Sequence, residues 1–194
     1  MNVYTFDDEF SHESVTSLIY RIEDSREKSL FKEVEGSKEI DVLRNRIVLY
    51  FSTNGGVVSS AHVLSSYFKE LILNEHLIVD IVVTEWCHSA GLFFLMDLYN
   101  FRKTLEHKDY LGFQFFEHAE ACLHEVATQI NTRIPDSDLS KRIERIKTRK
   151  PRIAKFFKPH LTAKEMSDFN KAQDVILSCD RLAKIFDAKV IKTF

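Results

Sequence analysis

Two strand-length apolar runs, each followed by a short connection and then a helical pattern, constrain this chain more than any other feature. The first is RIVLYF, Arg46 to Phe51, and the second is HLIVDIVVT, His76 to Thr84. Runs with so little polar alternation suit strands buried on both faces. Asn54-Gly55-Gly56 follows the first run. A helical pattern then spans about Val57 to Leu73, with Val58, Ala61, Leu64, Tyr67, Phe68 and Leu71 on one stripe. Glu85-Trp86-Cys87-His88 follows the second run, and an apolar helix is predicted from Ser89 to Phe101. Strand–turn–helix units in succession predict a layered α/β domain.

The remaining elements are shorter. Val3 to Phe6 reads as a first strand. A helix capped by Ser11 or Asp8 runs on through Ile22, with Val15, Leu18, Ile19 and Ile22 along one face. Tyr110 to Phe116 reads as a third strand and Ala188 to Ile191 as a short last one. From His118 onward the period is helical, with breaks at Pro135, Pro151 and Pro159. Residues 24–44 are charge-rich and read as a surface insertion. No linker and no repeat of fixed period stands out, so 1–194 reads as a single domain, long enough to bury a core without staples.

Charge and composition exclude several classes. Lys and Arg number 27 against 29 Asp and Glu, a net charge of −2, so there is no global basic field for nucleic acid. The basic stretch Lys141 to Lys158 reads as a solvated helix face. The apolar runs are broken by charges well short of a membrane span. No signal peptide is visible in MNVYTFDDEF, and Cys87, Cys122 and Cys179 form no close pair, which together predict reduced thiols and a cytoplasmic location. No phosphate-binding loop and no cofactor are predicted. His118 and Cys122 share a face of a predicted helix, but His124 lies off it. Two ligands do not make a metal centre, so no metal is predicted.

Two places can carry chemistry. Amide N–H groups at the helix start after Gly55-Gly56 can hold an anion or a developing oxyanion, although an Asn-Gly pair alone is more often only a turn. Ser89 stands at the mouth of the next helix, where a serine either caps it or acts as a nucleophile.

Taken together, STNGGVV (Ser52 to Val58) and CHSAG (Cys87 to Gly91) resemble the Clp peptidase family (ClpP) of the crotonase-like superfamily. That family carries an N-S-P-G-G-x-V turn and a serine nucleophile in an A-x-S-M/A-G context. Asp174 to Ile191 is similar, without a gap, to its closing segment D-x-F-L-S-x-x-E-A-x-x-Y-G-L-V-D-x-I. The resemblance implies a ClpP/crotonase-like spiral of strand–helix units with additional C-terminal helices. It implies a serine peptidase in which Ser89 is the nucleophile, Gly56 and Ala90 supply the oxyanion-hole amides, and Asp174 is the triad acid. The family's histidine ends the strand after the serine helix in an x-M-I-H-Q-P context. An ungapped count from Arg102 puts Phe113 there, and the nearest imidazole is His118, which an extra turn or bulge upstream of Tyr110 would bring into place. With His118 as base the expectation is peptide hydrolysis; without it, a catalytically inactive scaffold or regulatory subunit. An acyl-CoA hydrolase or isomerase of the superfamily is a third reading. The resemblance also implies a peptide or protein substrate and a homo-oligomer. It leaves an ATPase partner in doubt, since the family's axial segment has almost no counterpart before Val3.

Overall fold

A computed structural model of the chain describes residues 2–33, 45–124 and 152–192, with the side chains of 28–33 left out. In chain order the elements are β1 (Asn2–Asp7), α1 (His12–Glu33), β2 (Arg46–Thr53), α2 (Val58–Glu75), β3 (Ile78–Cys87), α3 (Ala90–Arg102), β4 (Leu111–Phe116), β5 (Glu120–Leu123), a helical stretch at 152–157 (α4), α5 (Ala163–Asn170), β6 (Val175–Ser178), α6 (Cys179–Phe186) and β7 (Lys189–Ile191). The chain clusters into two compact units, one of Met1–Ala121 with Leu177–Phe194 and one of Cys122–Ile176.

The first unit is built on a sheet of order β1-β2-β3-β4-β7. Every pairing along that path is parallel. The apolar runs explain why. Val79 to Val83 of β3 are buried one after another, so β3 has no wet face along its middle, while β2 buries Leu49 and Phe51 on one face and leaves Tyr50 exposed on the other. A parallel sheet of this kind must return each strand through a crossover, and α2 and α3 are those crossovers. The sequence has sixteen Phe, and several fill the space beneath these helices. Phe94 of α3 lies 5.1 Å from Phe51 of β2, 5.8 Å from Phe10 and 6.3 Å from Phe68 of α2, ring centre to ring centre. The mixed α/β class expected from the sequence is the one observed.

Three elements differ from the sequence reading. Helix α1 does not stop near Ile22 but runs on to Glu33, so the first part of the expected insertion is helix; 34–44 lie outside the described residues. The added turns are charge-rich because they are stitched sideways. Arg26 pairs with Glu23 at 2.9 Å and reaches Glu75 of α2, and Tyr67 of α2 donates to Glu23. Residues 120–123 form a strand where helix was predicted. Ala121, Cys122 and Leu123 are buried one after another, and four residues are too few for either period to show. Val175–Ser178 is a strand for the same reason. The basic stretch Lys141 to Lys158 falls mostly outside the described residues.

In the second unit Ile153, Phe157, Phe169 and Val175 are buried. Helix α5 starts with a capping box: the Glu165 N–H donates to the Thr162 hydroxyl at 3.2 Å, and the Thr162 N–H donates to the Glu165 carboxylate at 2.8 Å. Among the described residues no helix is long and apolar enough to cross a membrane.

Candidate active site

The carboxyl ends of β2 and β3 are tied together before their helices begin. Thr53 pairs in register with Cys87 across an irregularity in β2, and the His88 N–H donates to the Thr53 carbonyl at 3.0 Å. The Thr53 hydroxyl donates to the Asp8 carbonyl at 2.7 Å and accepts the Gly55 N–H at 3.1 Å. Gly55 and Gly56 follow with φ of 114° and 113°, in the left-handed region that side chains oppose. Space forbids a side chain as well. A Cβ on Gly56 would stand 2.5 Å from the Phe10 carbonyl oxygen, and one on Gly55 would stand 2.8 Å from the Ser89 Cβ. Phe10 crosses this turn as a single parallel bridge, its N–H donating to the Gly55 carbonyl and its carbonyl accepting the Val57 N–H, both at 2.7 Å. The two elbows therefore converge, with Gly55 seated against Ser89.

Ser89 holds φ 49° and ψ −108°, a backbone conformation that a side-chain-bearing residue rarely adopts. It precedes α3, yet its side chain makes no capping hydrogen bond. Among the described residues its hydroxyl has no hydrogen-bond partner, so the capping reading does not hold. The turn is closed by backbone instead: the Gly91 N–H donates to the His88 carbonyl at 2.7 Å. Gly91 lets α3 start this close to β2, since a Cβ there would stand 2.6 Å from the Thr53 methyl. The N–H of Ala90, in the first turn of α3, and the N–H of Gly56 donate to no acceptor among the described residues. Cys87, two residues before Ser89, is no rival nucleophile. Burial pushes its thiol well above the ordinary range, and the thiolate is the reactive form.

The imidazole is where sequence and structure part. Phe113, the residue at the ungapped histidine position, is buried in β4 opposite Ile81, with the rings of Tyr99 and Phe186 at 6.2 and 6.0 Å. It is a core residue. His118 lies in the exposed turn after β4, edge-on to Phe116 at 5.8 Å. Among the described residues no hydrogen bond joins His118 to Ser89, both of the first unit. Asp174, in the second unit, faces a different imidazole: the Nδ1 of His124 lies 3.6 Å from the Asp174 carboxylate. Cys122 completes that group, its sulfur within 4.8 Å of the other two ligand atoms.

His124 is the functional candidate that the sequence reading missed. It stands immediately after β5, whose first residue Glu120 pairs with Trp86 of β3. The signal was present: Ala121-Cys122-Leu123-His124-Glu125 has the order of the x-M-I-H-Q context, an apolar pair and then histidine. Two things hid it. The segment reads as helix, and the ungapped count from Arg102 allows for neither the turn at Lys108–Tyr110 nor the whole of β4 before β5.

No protein-family model matches the chain, and no curated protein does. Among solved structures the chain is similar to a mutant ClpP1 from Listeria monocytogenes. The two are 16% identical, the match covers 99% of this chain and 92% of that one, and the TM-score is 0.52. That likeness shows the fold: the chain has a ClpP-like architecture.

Proposed function

We propose that the chain is a serine-type hydrolase that cleaves peptide bonds, with Ser89 as nucleophile. The observation that carries this reading is Ser89 itself, held at φ 49° and ψ −108° with a hydroxyl not spent on capping. A strained conformation of this kind persists only where surrounding structure over-determines it, as at a nucleophile presented on a strand-to-helix elbow. In this reading the Ser89 oxygen attacks the scissile carbonyl carbon, and the N–H groups of Gly56 and Ala90 receive the negative charge that develops on the carbonyl oxygen. A histidine imidazole takes the serine proton and returns it to the departing amine. The candidate from the sequence is His118 of the first unit, and within the second unit the His124 Nδ1 faces the Asp174 carboxylate. Water then repeats the sequence on the acyl-enzyme. Neither a cofactor nor an ATPase is required by this chemistry. The substrate is a peptide, and the working form is a homo-oligomer.

One observation favours a second reading, that of an inactive scaffold: the Ser89 hydroxyl has no hydrogen-bond partner among the described residues. Catalytic hydrogen bonds are often loose before substrate arrives, so the hydrolase reading stands first.

Labelling with a fluorophosphonate separates the two. The wild-type chain is expected to be modified at Ser89, and Ser89→Ala to be spared. Removing the base, by His118→Ala or His124→Ala, is expected to slow labelling by about a hundredfold or more, the usual contribution of a positioned base. An unlabelled wild-type chain would leave only the scaffold. The variant that loses labelling identifies the base.

A further inference from the structure

We propose that Cys122, His124 and Asp174 form a binding site for a zinc-class divalent cation. All three residues belong to one compact unit. One ligand atom from each, the Cys122 sulfur, a His124 ring nitrogen and an Asp174 carboxylate oxygen, lies within 4.8 Å of the others. The local structure supplies this grouping. Cys122 and His124 are two residues apart at the end of β5, so strand alternation sends them to the same side. Asp174 immediately precedes β6. Read as a helix, the same segment separates Cys122 from His124, which is why the sequence predicted no metal.

The donor set selects the metal class. Thiolate, imidazole and carboxylate together suit zinc and its neighbours, whereas calcium and magnesium take oxygen alone. The spacing suits it too. Two ligands about 2.1 Å from a tetrahedral zinc lie about 3.4 Å apart, close to the 3.6 Å between His124 Nδ1 and the Asp174 oxygen. A small inward movement of the Cys122 sulfur closes the third side. Cys122 is buried while the Asp174 side chain is 65% exposed, so the cation enters from the carboxylate side and keeps a water as fourth ligand. On binding, the Cys122 thiol gives its proton to solvent and its sulfur pair to the metal, and the imidazole gives a nitrogen pair. The atoms that bind the metal at His124 and Asp174 are those that face each other in the metal-free pair.

Titration of the chelator-stripped chain with Co2+, then Zn2+, tests the binding. One equivalent of Co2+ is expected, with a thiolate-to-cobalt charge-transfer band and tetrahedral d–d bands, displaced by Zn2+. Cys122→Ser should lose the charge-transfer band. His124→Gln and Asp174→Asn should each weaken Zn2+ at least about tenfold, since even outer-shell partners of metal ligands are worth that much. Asp174→Asn alters an exposed side chain and so keeps the test open if Cys122→Ser does not fold. Absence of stoichiometric uptake, or uptake undiminished in Asp174→Asn and His124→Gln, would overturn the site.

Discussion

A serine just ahead of a helix ordinarily bonds its hydroxyl to a free amide of the first turn. Ser89 does not, and the reason is its backbone: at φ 49° and ψ −108° it leaves the extended conformation that a capping residue uses. The turn that holds it depends on its glycines. Gly56 carries two independent penalties against any side chain, a positive φ and the Phe10 backbone 2.5 Å from where a Cβ would stand. Backbone cannot swing aside as a flexible side chain can. Gly56→Ala is therefore expected to cost about 3 kcal/mol or more, from strain plus overpacking. Chemical denaturation measures this, and an unchanged midpoint would show that the Phe10 crossing is not rigid. Gly55 and Ser89 were both picked out from residue type alone. Their mutual approach was not legible there, because it depends on the register of β2 against β3.

Helices α2 and α3 show how a crossover is fixed beyond its apolar stripe. Asp97 of α3 accepts hydrogen bonds from Lys69 Nζ at 2.6 Å and from the buried Ser65 hydroxyl at 2.5 Å, both on α2. Burial works to raise the Asp97 carboxyl, but these bonds, with the Lys69 charge, outweigh it and hold the group below its ordinary value. A carboxyl lowered in the folded state stabilises the fold above its unfolded value, and that stability is lost as pH falls through the folded one. Asp97→Asn is thus expected to cost about 1 kcal/mol at neutral pH, for a partly exposed charged hydrogen bond. The gap to wild type should begin to shrink below about pH 4, where the unfolded carboxyl takes its proton, and close as pH falls through the lower folded value. Urea melts of both chains across that range measure it, and a gap that does not shrink in acid would remove Asp97 from this role. Elements of this length were readable from sequence because a stripe or a run repeats several times within them. Strands β5 and β6, four residues each, offer no period to read.

At the scale of the whole molecule, the first unit leaves apolar side chains on the outer faces of α1 and α2. Tyr20, Val63 and Leu73 are 71%, 52% and 56% exposed. A second copy of the chain would cover such side chains, which supports the homo-oligomer proposed above. Light scattering during size exclusion is expected to give a mass that is a multiple of 22.7 kDa. A single-chain mass at micromolar concentration would sink the expectation. Tyr20→Glu, placing a charge on an outer face that carries no core contact, should then lower the mass without unfolding the chain if α1 lies in the interface.

The amino-acid order by itself determined the layered α/β class, the two elbows and the serine at the second of them, because each is written in neighbouring residues: an apolar run, a glycine pair, a small-residue helix start. Only the tertiary structure decided which imidazole meets Asp174. His124 and Asp174 are brought together by β5 and β6, strands too short to declare themselves, across forty-nine intervening positions. Contacts set by chain reversal over that span follow from packing and register, and no local pattern in either segment encodes its partner.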